Sequence, residues 1–355
     1  MPNSFFDCIK SQIQASKPFV LFSDFGNISI KAILQTNNKT YTTSDFKEKG
    51  YVFSPFDNTI PTYLIPLGAS KELQLDTMPI SSKKNNPTSF KSDSTAHKNL
   101  IRYAIDEINS SELEKVVLAR TSTLEFQNSN EVELFLSIAT SYPEAYVYCW
   151  FHPKTGFWLG ASPESLLKIN GRKVKTMALA GTQVYEGSTH VEWDTKNYEE
   201  QKFVTEFLKN ELSQHLTNLE VSAPKTIKAG KLLHIQTTLT GYLKATSEAL
   251  KHLIFSIHPT PAVCGTPKSL AMDFIRNNET INREYYSGFL GEINIPNENQ
   301  IPFTNLVVNL RCMHFENNFA TLFAGGGITS KSDVDKEWNE TEEKLNTIKS
   351  ILDSK

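Results

Sequence analysis

Residues 145–171 read AYVYCWFHPKTGFWLGASPESLLKING, and they decide which kind of sheet the chain builds. Three mostly apolar runs, AYVYCWF, GFWLGAS and SLLKING, are rich in the aromatic and branched residues that favour strands. The turns between the runs are of hairpin length. Such turns join antiparallel strands, whereas parallel strands need a longer crossover. The stretch therefore predicts antiparallel pairing.

Further strands and several helices surround this stretch. Strand-like runs include KVVLAR, NLVVNLRCMHF and NFATLFAGG, and residues 1–80 are expected to form short strands joined by turns. The periodicity of apolar residues predicts helices over 96–110, 131–140, 194–217, 246–256, 266–277 and 332–353. Because helices are interspersed among strands without strict alternation, we predict an α+β fold with large antiparallel sheets.

A polar segment divides the chain unequally. SSKKNNPTSFKSDST, at 81–95, has one proline and few apolar residues, which is typical of a linker or an exposed loop. We therefore distinguish an N-terminal β-rich part, residues 1–90, from a main part, residues 95–350. The N-terminal part carries no motif that indicates a function, and we expect it to complete the sheets.

Composition limits the partners of the chain. Its 355 residues include 36 basic and 39 acidic side chains, a net charge of −3, which gives no reason to expect nucleic acid or a membrane surface as a partner. No signal-peptide pattern begins the sequence, and no apolar run is long enough to span a membrane. Four separated cysteines form no CxxC pair and indicate neither a zinc site nor a disulfide framework. We expect a cytoplasmic protein.

The last predicted helix carries charged residues beside its apolar stripe. Ser332 and Asp335 resemble a capping box that begins this helix. At ~100° per residue, Glu337, Glu340 and Lys344 lie on one line next to the stripe. These residues either form a solvated face with a Glu340–Lys344 pair or border a site at the edge of the core.

A further carboxylate lies on an apolar helix face. In NYEEQKFVTEFLK, Phe203, Val204 and Phe207 follow Glu200 at helical spacing and share its face. A buried carboxylate needs a partner, and Mg²⁺ suits it because this ion takes hard oxygen ligands and often only one or two protein carboxylates. Alternatively, Glu200 lies in the first helical turn, where it stabilises the helix dipole and reaches water.

Three short motifs could line a small-molecule site. HPTPAVCGTP, residues 258–267, contains three prolines, so it is either a stiff surface turn or a preformed wall. Gly325, Gly326 and Gly327 could let backbone amides approach an anion, although a glycine cluster alone is a weak signal. Arg311, in an otherwise apolar run, needs an anionic partner, supplied by a ligand or by an internal salt bridge.

Two residues could supply acid–base chemistry. Lys115 begins KVVLAR, and Glu164 lies in ASPESLL between two apolar runs. A desolvated lysine can lose its proton near neutral pH, and a carboxyl group in an apolar pocket can keep one. The alternative is that both are surface residues at strand ends.

The order of these motifs resembles that of a known family. Residues 95–350 contain, in sequence, KVVLAR, GASPESLL, LAGT, HPTPAVCGTP, REYYSGFLGEI, LRC, FAGGGI and EWNETEEKL. This set is similar to the chorismate-utilising enzymes, which include isochorismate, salicylate, anthranilate and aminodeoxychorismate synthases. Within the family, HPTPAVCG resembles the isochorismate synthases, because Ala262 replaces the threonine of the aminating and pyruvate-eliminating enzymes. The resemblance implies two large, mainly antiparallel sheets packed together with helices outside.

The resemblance also implies a role for each matching residue. Lys115 matches the general base that activates water for attack at C2 of chorismate, and Glu164 matches the general acid that protonates the departing C4 hydroxyl. Glu200 and Glu340 match two Mg²⁺ ligands, with Glu337 close to the ion. The positions that match substrate contacts are Gly181, Thr182, His234, Ala262, Val263, Tyr286, Arg311, Gly325, Gly326, Gly327 and Lys344.

These matches imply a Mg²⁺-dependent isochorismate synthase, an isomerase that serves menaquinone or siderophore biosynthesis. We expect a monomer without a glutaminase subunit. The alternatives are a salicylate synthase, an aminating synthase partnered by a glutaminase, and a chorismate-binding protein without catalytic activity. Where the family often has an acidic residue before the first metal glutamate and a histidine after it, this chain has Asn197 and Gln201. Glu199 is therefore a second candidate for the ligand role of Glu200.

Overall fold

The computed structural model describes residues 2–79, 94–125, 131–229, 232–245 and 248–352. Most of the predicted linker, residues 81–93, lies outside this part. The strands of the described part are β1 (Phe19–Ser23), β2 (Ile30–Gln35), β3 (Thr42–Thr43), β4 (Gly50–Ser54), β5 (Thr62–Pro66), β6 (Ser70–Leu75), β7 (Lys115–Glu125), β8 (Tyr146–His152), β9 (Gly156–Ser162), β10 (Ser165–Asn170), β11 (Lys173–Val184), β12 (Leu216–Val221), β13 (Lys225–Ala229), β14 (Leu232–Leu243), β15 (Gly265–Thr266), β16 (Phe289–Pro296), β17 (Pro302–Val308), β18 (Cys312–Glu316) and β19 (Phe319–Thr329).

The α-helices include every one that the sequence predicted, within a few residues. In the described ranges they are α1 (Pro2–Gln14), α2 (Ser94–Ser110), α3 (Glu131–Ser141), α4 (Thr195–His215), α5 (Ala249–Ile257), α6 (Lys268–Asn278) and α7 (Val334–Leu352). Helix α1 was not predicted, because residues 1–80 were expected to form strands; it buries Phe5 and Ile9 in the core. None of the described helices is both long and apolar enough to cross a membrane.

The strands form two sheets, and all their pairings are antiparallel. The nine-stranded sheet has the order β15-β7-β19-β18-β9-β8-β1-β2-β6. The ten-stranded sheet has the order β12-β14-β11-β10-β17-β16-β4-β5-β3, with β13 paired to β14. Strands from the first 79 residues therefore lie at one end of each sheet.

The two sheets pack face to face, as the alternation along β8 shows. Tyr146, Tyr148 and Trp150 point into a core that they share with Tyr51 and Phe53 of the other sheet. The rings of Phe53 and Trp150 stack with their centroids 5.0 Å apart. The intervening residues of β8 face a second core, which α3 and α7 cover, and α4 and α5 cover the outer face of the ten-stranded sheet. The predicted α+β class is confirmed.

The chain crosses between the sheets at two neighbouring places. The first crossing, Pro163–Glu164, connects β9 of the nine-stranded sheet to β10 of the ten-stranded sheet. The second, residues 309–311, leads back from β17 to β18, so the prediction that NLVVNLRCMHF forms one strand is wrong. The Val308 amide donates to the Glu164 carbonyl at 3.0 Å and ties the crossings together. Because Pro163 has no amide to donate to a ladder, β9 ends there. The prediction that a hairpin-length turn joins GFWLGAS and SLLKING as antiparallel neighbours is therefore wrong, whereas AYVYCWF and GFWLGAS do pair.

Local polar contacts begin the two helices that carry the candidate carboxylates. Asp194 caps α4, since its Oδ1 accepts from the Asn197 amide at 2.8 Å. At α7 the cap is Asp333, whose Oδ1 accepts from the Lys336 amide at 2.9 Å. The predicted capping role of Ser332 is wrong, because its hydroxyl accepts from the Thr329 amide on the preceding strand.

Candidate active site

A cavity lies between the sheets beside the two crossings. Of the residues that the sequence nominated, its lining includes Lys115, Glu164, His234, Ala262, Val263, Tyr286, Arg311, Gly325 and Lys344. The other nominated residues are not part of the lining: Gly181, Thr182, Glu200, Gly326, Gly327, Glu337 and Glu340. The lining also contains residues that the sequence did not nominate, namely Val117, Pro163, Leu179, Ala180, Leu310, Phe323 and Ala324.

Lys115 is buried at the start of β7. Its side chain is 1% exposed, and its Nζ lies 2.8 Å from Oε1 of Glu200. A buried ammonium group needs such a partner, because an isolated charge is costly to remove from water. Glu200 reaches across from the second turn of α4 and is only 17% exposed. The alternative readings, a surface lysine at a strand end and a solvated first-turn glutamate, are therefore wrong.

The proline-rich run 258–267 forms a wall of the cavity rather than a surface turn. Thr260, Val263 and Cys264 are buried. The end of the run, β15, pairs with β7 and places Thr266 opposite Lys115. The wall and the strand that carries the candidate base are therefore hydrogen-bonded parts of one sheet.

A buried arginine joins this wall to β7 a second time. Arg283 Nη1 donates to the carbonyl of Val263 at 2.9 Å, and its Nη2 donates to the carbonyl of Val117 at 2.6 Å. Glu279 supplies the counter-charge and also accepts from the Ala119 amide at 2.7 Å. Breaking a buried pair of this kind is costly, so it holds the wall at a fixed distance from β7.

Burial keeps the carboxyl group of Glu164 protonated. It lies in the first crossing and is 5% exposed. Burial raises the pKa of its carboxyl group to about 8, although the charges of Lys115 and Lys344 oppose this rise. At neutral pH the group is therefore mainly a neutral acid that can donate its proton.

Arg311 and His234 present unsatisfied polar atoms to the cavity. Arg311 lies in the second crossing and is buried, and Nη1 of its guanidinium has no hydrogen-bond partner among the described residues. Burial lowers the pKa of Arg311, but an arginine stays charged in proteins. This free donor suits a carboxylate of a bound ligand. The internal salt bridge considered for Arg311 does not form within the described part of the chain.

The tautomer of His234 follows from its neighbour. Its Nδ1 lies 2.9 Å from the carbonyl oxygen of Gly181. A carbonyl only accepts, so Nδ1 carries the proton and Nε2 is left as an acceptor. Burial, with the charge of Arg311, lowers the pKa of His234 to about 4 and keeps the ring neutral. In the described structure, Nε2 is buried without a partner.

The three glycines lie within strand β19 and do not form an open anion-binding loop. They pair with residues 117–119 of β7. Their role is to leave space: a Cβ on Gly327 would lie 2.2 Å from Oε1 of Glu200, and one on Gly325 would lie 2.9 Å from the Tyr286 hydroxyl. Gly326 faces α7 instead, where an added Cβ would lie 3.5 Å from Cγ2 of Thr341.

The charged line of α7 runs along this glycine strand. Lys344 Nζ lies 2.7 Å from Oε1 of Glu340, so the predicted pair forms, and it also donates to the carbonyl of Gly325 at 2.9 Å. Glu337 is 2% exposed, and its Oε2 lies 3.9 Å from the position that a Cβ on Gly326 would take. The helix therefore brings two carboxylates and one ammonium group to the strand.

The donor set beside the strand suits a hard cation. Glu200, Glu337 and Glu340 offer carboxylate oxygens; Glu200 occupies the space that a side chain on Gly327 would need, and Glu337 lies beside Gly326. The described residues include no group of three His, Cys, Asp or Glu side chains arranged to hold a metal ion. Mg²⁺ commonly takes only one or two protein carboxylates and completes its shell with water and substrate, so it does not require a group of three such side chains. Glu199, in contrast, pairs with Lys331 at the surface.

This fold and this cavity define the class of protein. The family model described as chorismate binding enzyme matches residues 67–353, and the chain belongs to that family.

Relatives and solved structures agree with this class. The chain is 29% identical over 269 residues to the isochorismate synthase MenF of Escherichia coli K12, an alignment that covers 73% of this chain and 61% of that protein. It is 30% identical over 263 residues to the MenF of Bacillus subtilis 168, covering 71% of this chain and 54% of that one. The match thus spans less than two thirds of the length of these relatives.

The fold itself matches over almost the whole chain. The solved structure of E. coli MenF, the menaquinone-specific isochorismate synthase, superposes with a TM-score of 0.80 at 22% identity and covers 95% of this chain and 89% of that chain. A putative 2,3-dihydroxybenzoate-specific isochorismate synthase, DhbC of Bacillus anthracis, also gives a TM-score of 0.80 at 22% identity. It covers 95% of this chain and 96% of its own.

Proposed function

We propose that the protein is a Mg²⁺-dependent isochorismate synthase, which converts chorismate to isochorismate by attack of water at C2 and loss of the C4 hydroxyl. The observation that carries the proposal is that a buried lysine, Lys115, and a protonated carboxyl group, Glu164, line one cavity. The names of the curated relatives support the same reaction. Ala262 lines the cavity where the aminating and salicylate-forming relatives have threonine, which favours hydroxyl transfer.

The two groups divide the proton transfers. For this step Lys115 must be the neutral amine, which takes a proton from water as the oxygen of that water bonds to C2 and becomes an ammonium group. The ring double bonds shift, the C4–oxygen bond breaks, and Glu164 gives its proton to the departing hydroxyl, which leaves as water. Each positioned acid or base of this kind contributes about 10²–10⁴-fold to the rate.

Charged groups of the cavity orient a substrate that carries two carboxylates. Arg311 offers its free Nη1, and Lys344 lines the same cavity. Glu200 and Glu340, with Glu337 nearby, would hold Mg²⁺, which when bound neutralises and orients the ring carboxylate. The neutral His234 contributes an acceptor for a hydroxyl group or for water. Fixed charges in a buried cavity act more strongly than in bulk water.

The proposal is tested by incubating the purified protein with chorismate and Mg²⁺ and separating the products. Isochorismate is expected, and EDTA should abolish its formation. E200Q and E340Q should each lose the metal-dependent activity. Salicylate as the sole product, or full activity in both variants, would contradict the proposal.

A second experiment separates an enzyme from a chorismate-binding protein without catalytic activity. K115A removes the candidate base but leaves Arg311 and the proline-rich wall in place. Chorismate should still bind K115A, as measured by calorimetry, whereas turnover should fall by about 10²-fold or more. Unchanged turnover would remove Lys115 from the mechanism.

A further inference from the structure

The first two turns of α4 contact both sheets through closely spaced side chains. Glu200 reaches Lys115 in the nine-stranded sheet. Gln201 is buried, and its Nε2 donates to Oγ1 of Thr237 on β14 of the ten-stranded sheet at 2.6 Å. Asn197, one turn earlier, reaches β11 of the same sheet. A small shift of this end of α4 would therefore change the distance between Glu200 and the other residues of the site.

Asn197 uses both ends of its side-chain amide. Its Oδ1 accepts from the backbone amide of Thr182 at 3.0 Å, and its Nδ2 donates to Oδ1 of Asp194 at 2.8 Å. The orientation of the amide is fixed by chemistry, because the backbone N–H can only donate and the carboxylate can only accept. Asn197 thus joins the cap of α4 to the LAGT segment of β11.

The segment that Asn197 holds is irregular and leads to the cavity. The register of β11 on β14 shifts between Ala180 and Gln183, and Gly181 within this bulge has a φ of 75°. The positive φ favours glycine at this position, and a Cβ on Gly181 would also lie 3.1 Å from Oδ1 of Asn197, a tight contact. The carbonyl of Gly181 in turn accepts from His234, which lines the cavity.

We propose that Asn197 is a positioning residue: its amide fixes the Gly181–Thr182 bulge against the first turn of α4. Through the bulge it fixes the position of His234, and through the helix it fixes the position of Glu200. The distance between these two residues is therefore held constant. This inference rests on the proposed function for its kinetic consequences. The hydrogen bonds that carry it are independent of that function.

An aspartate could not replace Asn197 in this connection. It would still accept from the Thr182 amide, but it would place a second carboxylate at hydrogen-bond distance from Asp194. Two carboxylates that close repel each other, whereas an amide and a carboxylate attract. Exchanging the two residues, as in D194N/N197D, restores one donor and one acceptor with the same net charge.

The experiment compares N197A, N197D and D194N/N197D with wild type. N210A is the matched control, because Asn210 is exposed on the same helix. Three quantities are measured: hydrogen exchange of the peptide that contains Thr182, the affinity for Mn²⁺ alone, and kcat and KM for chorismate. In N197A and N197D we expect about tenfold faster exchange of the Thr182 amide. We also expect losses of about 10–100-fold in Mn²⁺ affinity and in kcat.

The outcomes distinguish positioning from a general loss of stability. The exchanged pair should recover most of the affinity and of kcat, and N210A should match wild type. The proposal is overturned if N197D matches wild type, or if D194N/N197D is no better than N197D. If the wild-type protein does not convert chorismate, the proposed function fails, while exchange and Mn²⁺ affinity still decide the role of Asn197.

Discussion

Glu164 occupies a two-residue crossing between sheets, where its carboxyl group has little contact with water. Burial raises the pKa of this carboxyl group from 4.5 to about 8 in the folded protein. The folded state therefore binds more protons than the unfolded state between these two pH values. The resulting contribution to stability is fully present below the unfolded pKa and is lost as the pH rises to about 8.

E164Q tests this titration. Glutamine resembles the protonated acid in shape but does not titrate, so the variant lacks the pH-dependent contribution. The free energy of unfolding of wild type, minus that of E164Q, should fall by a few kcal/mol between about pH 5 and about pH 8. Urea-induced unfolding of both proteins across this range measures the difference, and a constant difference would show that Glu164 titrates normally.

At this scale the sequence predicted the charged residues of the site better than its apolar lining. Lys115, Glu200 and Arg311 attracted attention because each charge stood in an apolar pattern. Leu310 and Phe323 line the cavity, but they carry no signal that distinguishes them from other core residues. Asn197 was noted only as a departure from the family, since the bulge that it holds is a matter of register, which composition does not reveal.

At the scale of the element, strand β19 matters because its three glycines have no side chains. Gly327 lies in β19 and needs no unusual backbone conformation, so alanine there would add a contact rather than backbone strain. The added Cβ would lie 2.2 Å from Oε1 of Glu200 and 2.9 Å from Cε of Lys115. Both side chains would have to move.

G327A should therefore lower kcat/KM for chorismate by about 10²-fold, because reacting groups displaced by about an ångström lose this much. G68A is the matched control, since a Cβ on Gly68 would meet no atom within 4 Å. Steady-state kinetics of the two variants check the prediction. Wild-type activity in G327A would mean that Glu200 and Lys115 do not need their observed spacing.

The elements themselves were predictable to different degrees. Amphipathic helices such as α4 and α7 show their apolar face in the sequence, and they form where expected. The second crossing was not predicted, because NLVVNLRCMHF is mostly apolar and periodicity alone does not show which sheet each half joins. Helix α1 was missed for a related reason. PNSFFDCIKSQIQ is short, and its apolar residues stabilise a helix only because they pack on the sheet.

At the scale of the molecule, the site exists because the chain crosses twice between the two large sheets at neighbouring places. Both crossings deliver an ionisable residue into the interior, Glu164 from one and Arg311 from the other, and the wall 258–267 closes the space between them. The antiparallel class followed from hairpin-length turns in the sequence. The distribution of strands between two sheets depends on contacts between distant residues, such as the bond from Val308 to Glu164, and could not be read from local patterns.

In the proposed reaction, water activated in this cavity bonds to C2 of chorismate and the hydroxyl group of C4 is lost. Incubating the protein with chorismate and Mg²⁺ in heavy-oxygen water, followed by mass spectrometry and NMR of the product, tests it most directly. We expect isochorismate with one heavy oxygen, located in its C2 hydroxyl. Isochorismate without the label, or a labelled product of another kind, would contradict it.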